Sequence, residues 1–167
     1  MRTFGLAGWE GSGKTTLMVK LVKELTDRGF TVSSMNHVAP GCDIDRPGKD
    51  SYRHRAAGAA EVVVTSTNRW ALLHELHGAP GPAVEDLEPH LTPVDLLLVE
   101  GARRDGHPKV EVHRPSAGRP LLCRDDPRIV AVASDAPLSG VDVPVLDLDD
   151  TAAVADFIVG YCDLEAG

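Results

Sequence analysis

Residues 5–22, GLAGWEGSGKTTLMVKLV, decide the fold. Their first positions complete a short apolar run, residues 2–7, that reads as a buried strand. Gly8-Trp9-Glu10-Gly11-Ser12-Gly13-Lys14-Thr15 then matches G-x-x-x-x-G-K-[ST] at every fixed position. From Lys14 to Arg28, the apolar residues Leu17, Met18, Leu21, Val22 and Leu25 fall on one face. Lys20, Lys23, Glu24 and Asp27 turn outward, and this spacing predicts an amphipathic helix. Gly29 stands where a helix takes a left-handed cap, and residues 30–35 resume strand character. A strand, a helix and a strand in roughly thirty residues make a right-handed crossover between parallel strands.

The loop is built for phosphate. Glycines let successive amide N–H groups turn inward without a Cβ in the way, and the helix that follows adds its positive end. Gly11, Ser12 and Gly13 are the expected cradle; Lys14 reaches the β- and γ-phosphates, Thr15 ligates Mg²⁺, and Thr16 meets the α-phosphate. Trp9 is bulky for such a loop; covering the nucleotide, a subunit contact and plain packing all stay open for it.

Past the crossover, residues 37–50 are polar and rich in turn formers, and residues 51–60 are basic and helical in pattern. Residues 61–65 read as a strand, residues 68–76 as a short helix or irregular crossover, and residues 84–91 as helical. Residues 94–99 are the most apolar strand, suited to a parallel sheet covered on both faces. Further strands are expected at 109–113, 129–133 and 144–148. A closing helix capped near Asp149 or Asp150 is predicted to bury Val154, Phe157, Ile158 and Tyr161. The fold class is α/β: a single P-loop nucleotide-binding domain over residues 1–167, with a mostly parallel sheet flanked by helices.

The totals narrow the function. A net charge of −8 argues against a nucleic-acid footprint or a polybasic membrane anchor. The longest apolar run is too short to span a bilayer, and the N-terminus lacks signal-peptide anatomy, so the cytoplasm is the expected location. Cys42, Cys123 and Cys162 form no CxxC pair and read as reduced thiols; the seven histidines offer no four-ligand zinc spacing.

A second acid near the metal is needed. Glu100 ends the apolar strand where ligands gather in such sheets, so it is placed in the Mg²⁺ shell or beside the attacking water. Asp95, at the strand's entry, reads as structural. Asp43 and Asp45 alternate along an extended loop and suit a hydrated divalent ion, with Asp45 the first choice. Lys49, Arg53 and Arg55 suit anionic substrate oxygens, and a plain solvated charged loop stays open for this segment. Asp135 follows a strand where P-loop GTPases often place a guanine-reading aspartate, but no Asn-Lys precedes it; a turn or cap role stays open beside base reading.

Together, GWEGSGKTT, DIDRPGKDSYRHRAAGA, STNRWAL, LLLVEG and HPKVEVHR occur in the order found in the molybdopterin-guanine dinucleotide biosynthesis adaptor proteins. The sequence resembles that MobB family from Phe4 to Asp156. The resemblance implies a homodimeric GTP-binding protein with weak GTPase activity. Such a protein assists the enzyme that transfers GMP to molybdopterin in molybdenum cofactor biosynthesis. It implies GTP and Mg²⁺ at residues 11–16, with Lys14, Asp45 and Glu100 as the groups acting on the phosphates. It also implies a surface for pterin, partner or second subunit at Lys49, Arg53, Asn68, Arg69 and Trp70. The chain departs from the family at Asn36-His37, where Lys-His is usual, and at Ala39-Pro40-Gly41-Cys42, where histidines continue. It departs again at Ala102-Arg103, which replaces an aromatic-Lys pair. The rival readings are a small-molecule kinase clamping a phosphoryl group with Arg53, Arg55 and Arg104, and a scaffold that binds GTP without turning it over.

Overall fold

The computed structural model describes residues 1–38, 45–101 and 106–165; Cys42, Asp43, Arg103 and Arg104 lie outside the described residues. The chain divides into two compact units, Met1–Val38 with His90–Gly167, and Ala39–Pro89.

In the first unit, β1 (Arg2–Ala7), β2 (Val32–Asn36), β5 (Leu96–Glu100), β6 (Lys109–His113), β7 (Ile129–Ser134) and β8 (Val145–Asp147) form one sheet. Their order is β2–β5–β1–β6–β7–β8 and every pairing is parallel. α1 (Lys14–Asp27) and α4 (Thr151–Cys162) pack side by side on one face. Strand alternation aims Phe4, Leu6, Leu96, Leu98, Val110, Val112, Ala131 and Ala133 at them. Leu17, Met18, Leu21 and Leu25 of α1 close that core, as their spacing predicted. Each fully buried leucine contributes about 2 kcal/mol by leaving water.

α1 ends as expected: Gly29 adopts φ 94° and its N–H donates to Thr26 O, while Phe30 N–H donates to Leu25 O. Arg28 then ties the two helices together, donating to Glu24 on its own helix and to Asp156 on α4. The Asp150 carboxylate caps α4 by accepting the Ala153 N–H at 2.9 Å. One burial expectation is corrected. Tyr161 is 50% exposed, leaning on Phe4 and Phe157, and Phe157 is only partly buried. Ala155 and Cys162 take the inner positions, because small side chains let the helix approach the sheet.

The opposite face of β6 breaks the usual pattern. Lys109, Glu111 and His113 point away from the helices, yet all three are buried. The segment 114–128 roofs them: the Leu122 and Cys123 N–H groups donate to the Glu111 carboxylate at 2.9–3.0 Å, and Lys109 pairs with Asp126. At the other end of the sheet, the Asp95 carboxylate accepts from both the hydroxyl and the N–H of Thr31, joining the starts of β5 and β2. The structural reading of Asp95 holds.

The second unit contains α2 (Asp50–Ala56), β3 (Glu61–Thr65), β4 (Trp70–His74) and the short α3 (Val84–Leu87). Residues 68–76 are not a helix or an irregular crossover: β4 pairs antiparallel with β3, Val62 opposite Leu73 and Thr65 opposite Trp70. The turn explains it. Ser66 N–H and Oγ both donate to Arg69 O, closing a tight hairpin that returns the chain alongside β3.

Candidate nucleotide-binding site

Parallel pairing brings all six carboxyl ends of the first unit to one edge. Asn36 and Leu6 both lie opposite Glu100, Ala7 lies opposite Glu111, and Ser134 lies between His113 and Asp147. Ligands of open α/β sheets bind along that edge, and the residues that follow each strand are the ones that reach them.

After β1 the chain turns into the glycine loop. Gly8 has φ 148°, and a Cβ there would approach Val112 O to 2.6 Å and Ser12 Oγ to 2.7 Å, so only glycine fits. Ser12 Oγ is buried and has no hydrogen-bond partner among the described residues. Lys14 Nζ folds over the loop and donates to Gly8 O and Trp9 O, both at 2.9 Å. Thr15 Oγ1 donates to Glu100 Oε1 at 2.5 Å. The hydroxyl at the helix start and the acid at the end of β5 thus meet, 85 residues apart in sequence. Gly101 follows at φ 88°, where a Cβ would come within 3.0 Å of His37 O. This close approach accounts for glycine directly after Glu100.

Trp9 belongs to the scaffold of the loop. Its Nε1–H donates to Pro120 O at 2.8 Å, and the Arg119 guanidinium lies 5.6 Å from its ring centroid. The glycine loop is thereby fastened to the roof segment that Glu111 anchors. Beside this fastening lies a cavity of about 330 Å³, lined in part by Trp9, Leu121, Leu122 and Asp126.

Arg114, the first residue after β6, was not singled out in the sequence as a site residue. Its Nε–H donates to Ser12 O at 3.1 Å and its Nη1 to Asp135 Oδ2 at 2.5 Å. The signal was its position at a carboxyl end, not its residue type. A cavity of about 250 Å³ adjoins Asp135, lined by Ser134, Asp135, Ala136, Pro137, Val145, Leu146 and Asp147.

The structure thus gathers residues 11–16, Glu100 and Asp135 in the first unit. Asp45 lies in the second unit, where its carboxylate accepts from Ser51 Oγ, the Arg46 N–H and Arg55. Burial alone would raise its pKa, but these hydrogen bonds outweigh it and hold the carboxyl below its usual range. Arg55 also reaches Glu75. Lys49 precedes α2 and Arg53 lies within it, Asn68 and Arg69 form the hairpin turn, and Trp70 opens β4; all five are exposed. Burial pushes the Cys162 thiol up to about 11, and burial with the Glu111 charge raises Cys123, so both are neutral thiols at neutral pH.

Comparison with known proteins agrees with this geometry. The family model "Molybdopterin guanine dinucleotide synthesis protein B", MobB, matches residues 3–135. The molybdopterin-guanine dinucleotide biosynthesis adapter protein of Escherichia coli (strain K12) is 40% identical over 164 residues, 96% of this chain and 93% of that protein. Its namesake from Haemophilus influenzae is 38% identical, covering 94% of this chain and 87% of its own. Among solved structures, Bacillus subtilis MobB aligns over 100% of both chains with a TM-score of 0.76 at 19% identity. A crystal structure of molybdopterin-guanine biosynthesis protein B gives 0.74 at 24% identity, over 95% of this chain and 99% of the other. These two likenesses show the fold.

Proposed function

This chain belongs to the MobB family, and from that premise we propose that it is a GTP-binding adapter for the enzyme that joins GMP to molybdopterin. The observation that carries the reading is the hydrogen bond from Thr15 to Glu100, which pairs the P-loop hydroxyl with a second acid. Two further observations support a triphosphate: the tight turn that only glycine permits at position 8, and Ser12 Oγ, buried without a hydrogen-bond partner among the described residues. Thr15 and Glu100 form a hard oxygen pair suited to Mg²⁺, which when bound neutralises charge between the β- and γ-phosphates. Lys14 exchanges its two loop carbonyls for phosphate oxygens, and Gly11, Ser12, Gly13 and Thr16 supply the remaining donors. Hydrolysis is slow and secondary on this reading; the bound nucleotide serves recognition.

The second unit supplies the partner and self-association face. Trp70 is 68% exposed, and Val63, Val64 and Leu72 stand on the same hairpin with their side chains in solvent. Lys49, Arg53, Asn68 and Arg69 give that unit the cations and amide for an anionic pterin or an acidic partner. The kinase reading is weaker, because Arg55 is engaged by Asp45 and Glu75 rather than held for a transferred phosphoryl group. A cytoplasmic location fits these partners; no helix among the described residues is long and apolar enough to cross a membrane.

Titration with GTP and ATP in Mg²⁺, followed by reconstitution with the GMP-transferring enzyme, tests the reading. Tighter GTP binding and faster GMP attachment in the presence of this chain are expected. ATP binding as tight as GTP, or phosphoryl transfer to a small acceptor, overturns it.

A further inference from the structure

Guanine presents N1–H and 2-amino donors beside the O6 and N7 acceptors, so a site that reads it needs an acceptor and a donor side by side. Adenine reverses the pattern at position 6. β7 offers only half of this. Asp135 is an acceptor, but the residues before it are Ala131, Val132, Ala133 and Ser134, and the Ser134 hydroxyl already donates to Ala136 O at 2.7 Å.

The missing donor comes from the neighbouring strand. Arg114 is held at two points, Nε on Ser12 O and Nη1 on Asp135. Its Nη2 lies 3.5 Å from the position of a Cβ at Gly13, at the start of α1. One guanidinium therefore spans the phosphate loop and the carboxylate at the end of β7. Ala136, Pro137, Val145 and Leu146 give the adjoining cavity the apolar walls that a purine's faces require. Arginine's planar fork matches the O6/N7 edge in the bidentate way that a lysine ammonium does not.

We propose that Arg114 determines specificity for guanine, donating to O6 and N7 while the Asp135 it holds accepts N1–H and the 2-amino group. This rests on the triphosphate reading above and adds to it the means of base choice. Adenine keeps N7 but would set its 6-amino donor against the guanidinium and its N1 acceptor against the Asp135 carboxylate, mismatches that sites built on hydrogen bonding reject strongly.

Equilibrium binding of GTP, ATP, 7-deaza-GTP and XTP to the full chain, with thermal melts of each variant, tests the assignment. The wild-type protein should prefer GTP over ATP by about 100-fold and bind 7-deaza-GTP, which lacks N7, about tenfold more weakly than GTP. Arg114→Met should bring GTP to within a few-fold of ATP by lowering GTP affinity far more than ATP affinity, and erase the difference between GTP and 7-deaza-GTP. Arg114→Lys should lose most of the same preference despite keeping the charge. Asp135→Asn, which keeps one acceptor oxygen for N1–H and exchanges the other for a donor to the 2-oxo group, should move preference from GTP to XTP.

Equal losses of GTP and ATP affinity in Arg114→Met would make Arg114 a phosphate ligand and overturn the assignment. So would wild-type protein that binds 7-deaza-GTP as well as GTP, an arm that needs no variant to fold. Wild-type protein that binds GTP and ATP alike defeats base reading and leaves the P-loop assignment standing. Wild-type protein that binds neither triphosphate defeats both.

Discussion

β5 and the β3–β4 hairpin are made of similar residues and meet opposite fates. LLLVE of β5 is buried at every position, whereas in EVVVT of β3 only Val62 is buried, and Val63 and Val64 are 58% and 44% exposed. β5 has β1 on one side and β2 on the other, with α1 packed against it; β3 has β4 alone. Apolar content makes a strand, but neighbours decide whether the strand is core. An apolar face that its own unit leaves in water is a surface awaiting a partner. The proposed phosphate site and the proposed docking face thus fall on different units: one at the edge of a six-stranded sheet, the other on a two-stranded hairpin.

The sharpest way to break this contrast is to make one chemical change on both sides of it. Leu97→Ala in β5 should cost about 3 kcal/mol, lowering the melting midpoint by roughly 6–12 °C in a calorimetric scan. Leu72→Ala on the hairpin belongs at the other end of the scale. Between them stands Lys14→Ala, which should weaken GTP binding at least about 100-fold, near 2.7 kcal/mol, with an unchanged melt. Titration calorimetry reads this, and unaltered affinity in the folded variant would remove Lys14 from the site. Glu100→Gln should preserve the fold and cut the Mg²⁺ enhancement of GTP binding by about tenfold, since the amide keeps the contact with Thr15 and loses the charge. Leu72→Ala should change stability by less than about 0.5 kcal/mol yet weaken self-association or binding of the GMP-transferring enzyme in sedimentation; a large drop in the melt would mean the hairpin is core after all.

The smallest effect concerns acid. Hydrogen bonds from the Thr31 hydroxyl and N–H hold the Asp95 carboxyl below its usual value. A depressed folded pKa contributes stability that is present above the unfolded value of about 3.9 and is lost as pH falls through the folded one. Asp95→Asn should therefore flatten the acid side of the stability profile, from about pH 4 downward, and leave neutral-pH binding alone.

Local pattern made much of this protein readable. The glycine loop, α1 with its left-handed cap, the apolar β5 and the Asp150 cap all depend on residues within a few positions of one another. Glu100 was legible as a candidate because it ends a strand at the sheet's carboxyl edge, where the structure sets it against Thr15. The hairpin was not, since WALLH fits helix and strand alike and only pairing with β3 decides between them. Nor does any local spacing show that Arg55 and Ser51 meet Asp45.

The sequence by itself determined that a phosphate loop opens a helix between parallel strands, because glycine, lysine and threonine at those spacings answer to backbone geometry alone. Only the tertiary structure decided which distant residues lie beside that loop. Strand order set β6 beside β1 and β7 beside β6, and so carried Arg114 to Ser12 and Asp135, from 102 and 21 residues away. The same order buried Lys109, Glu111 and His113, with roof N–H groups donating to Glu111 and the Asp126 carboxylate pairing with Lys109. Such contacts depend on which strands become neighbours, and no local spacing encodes that.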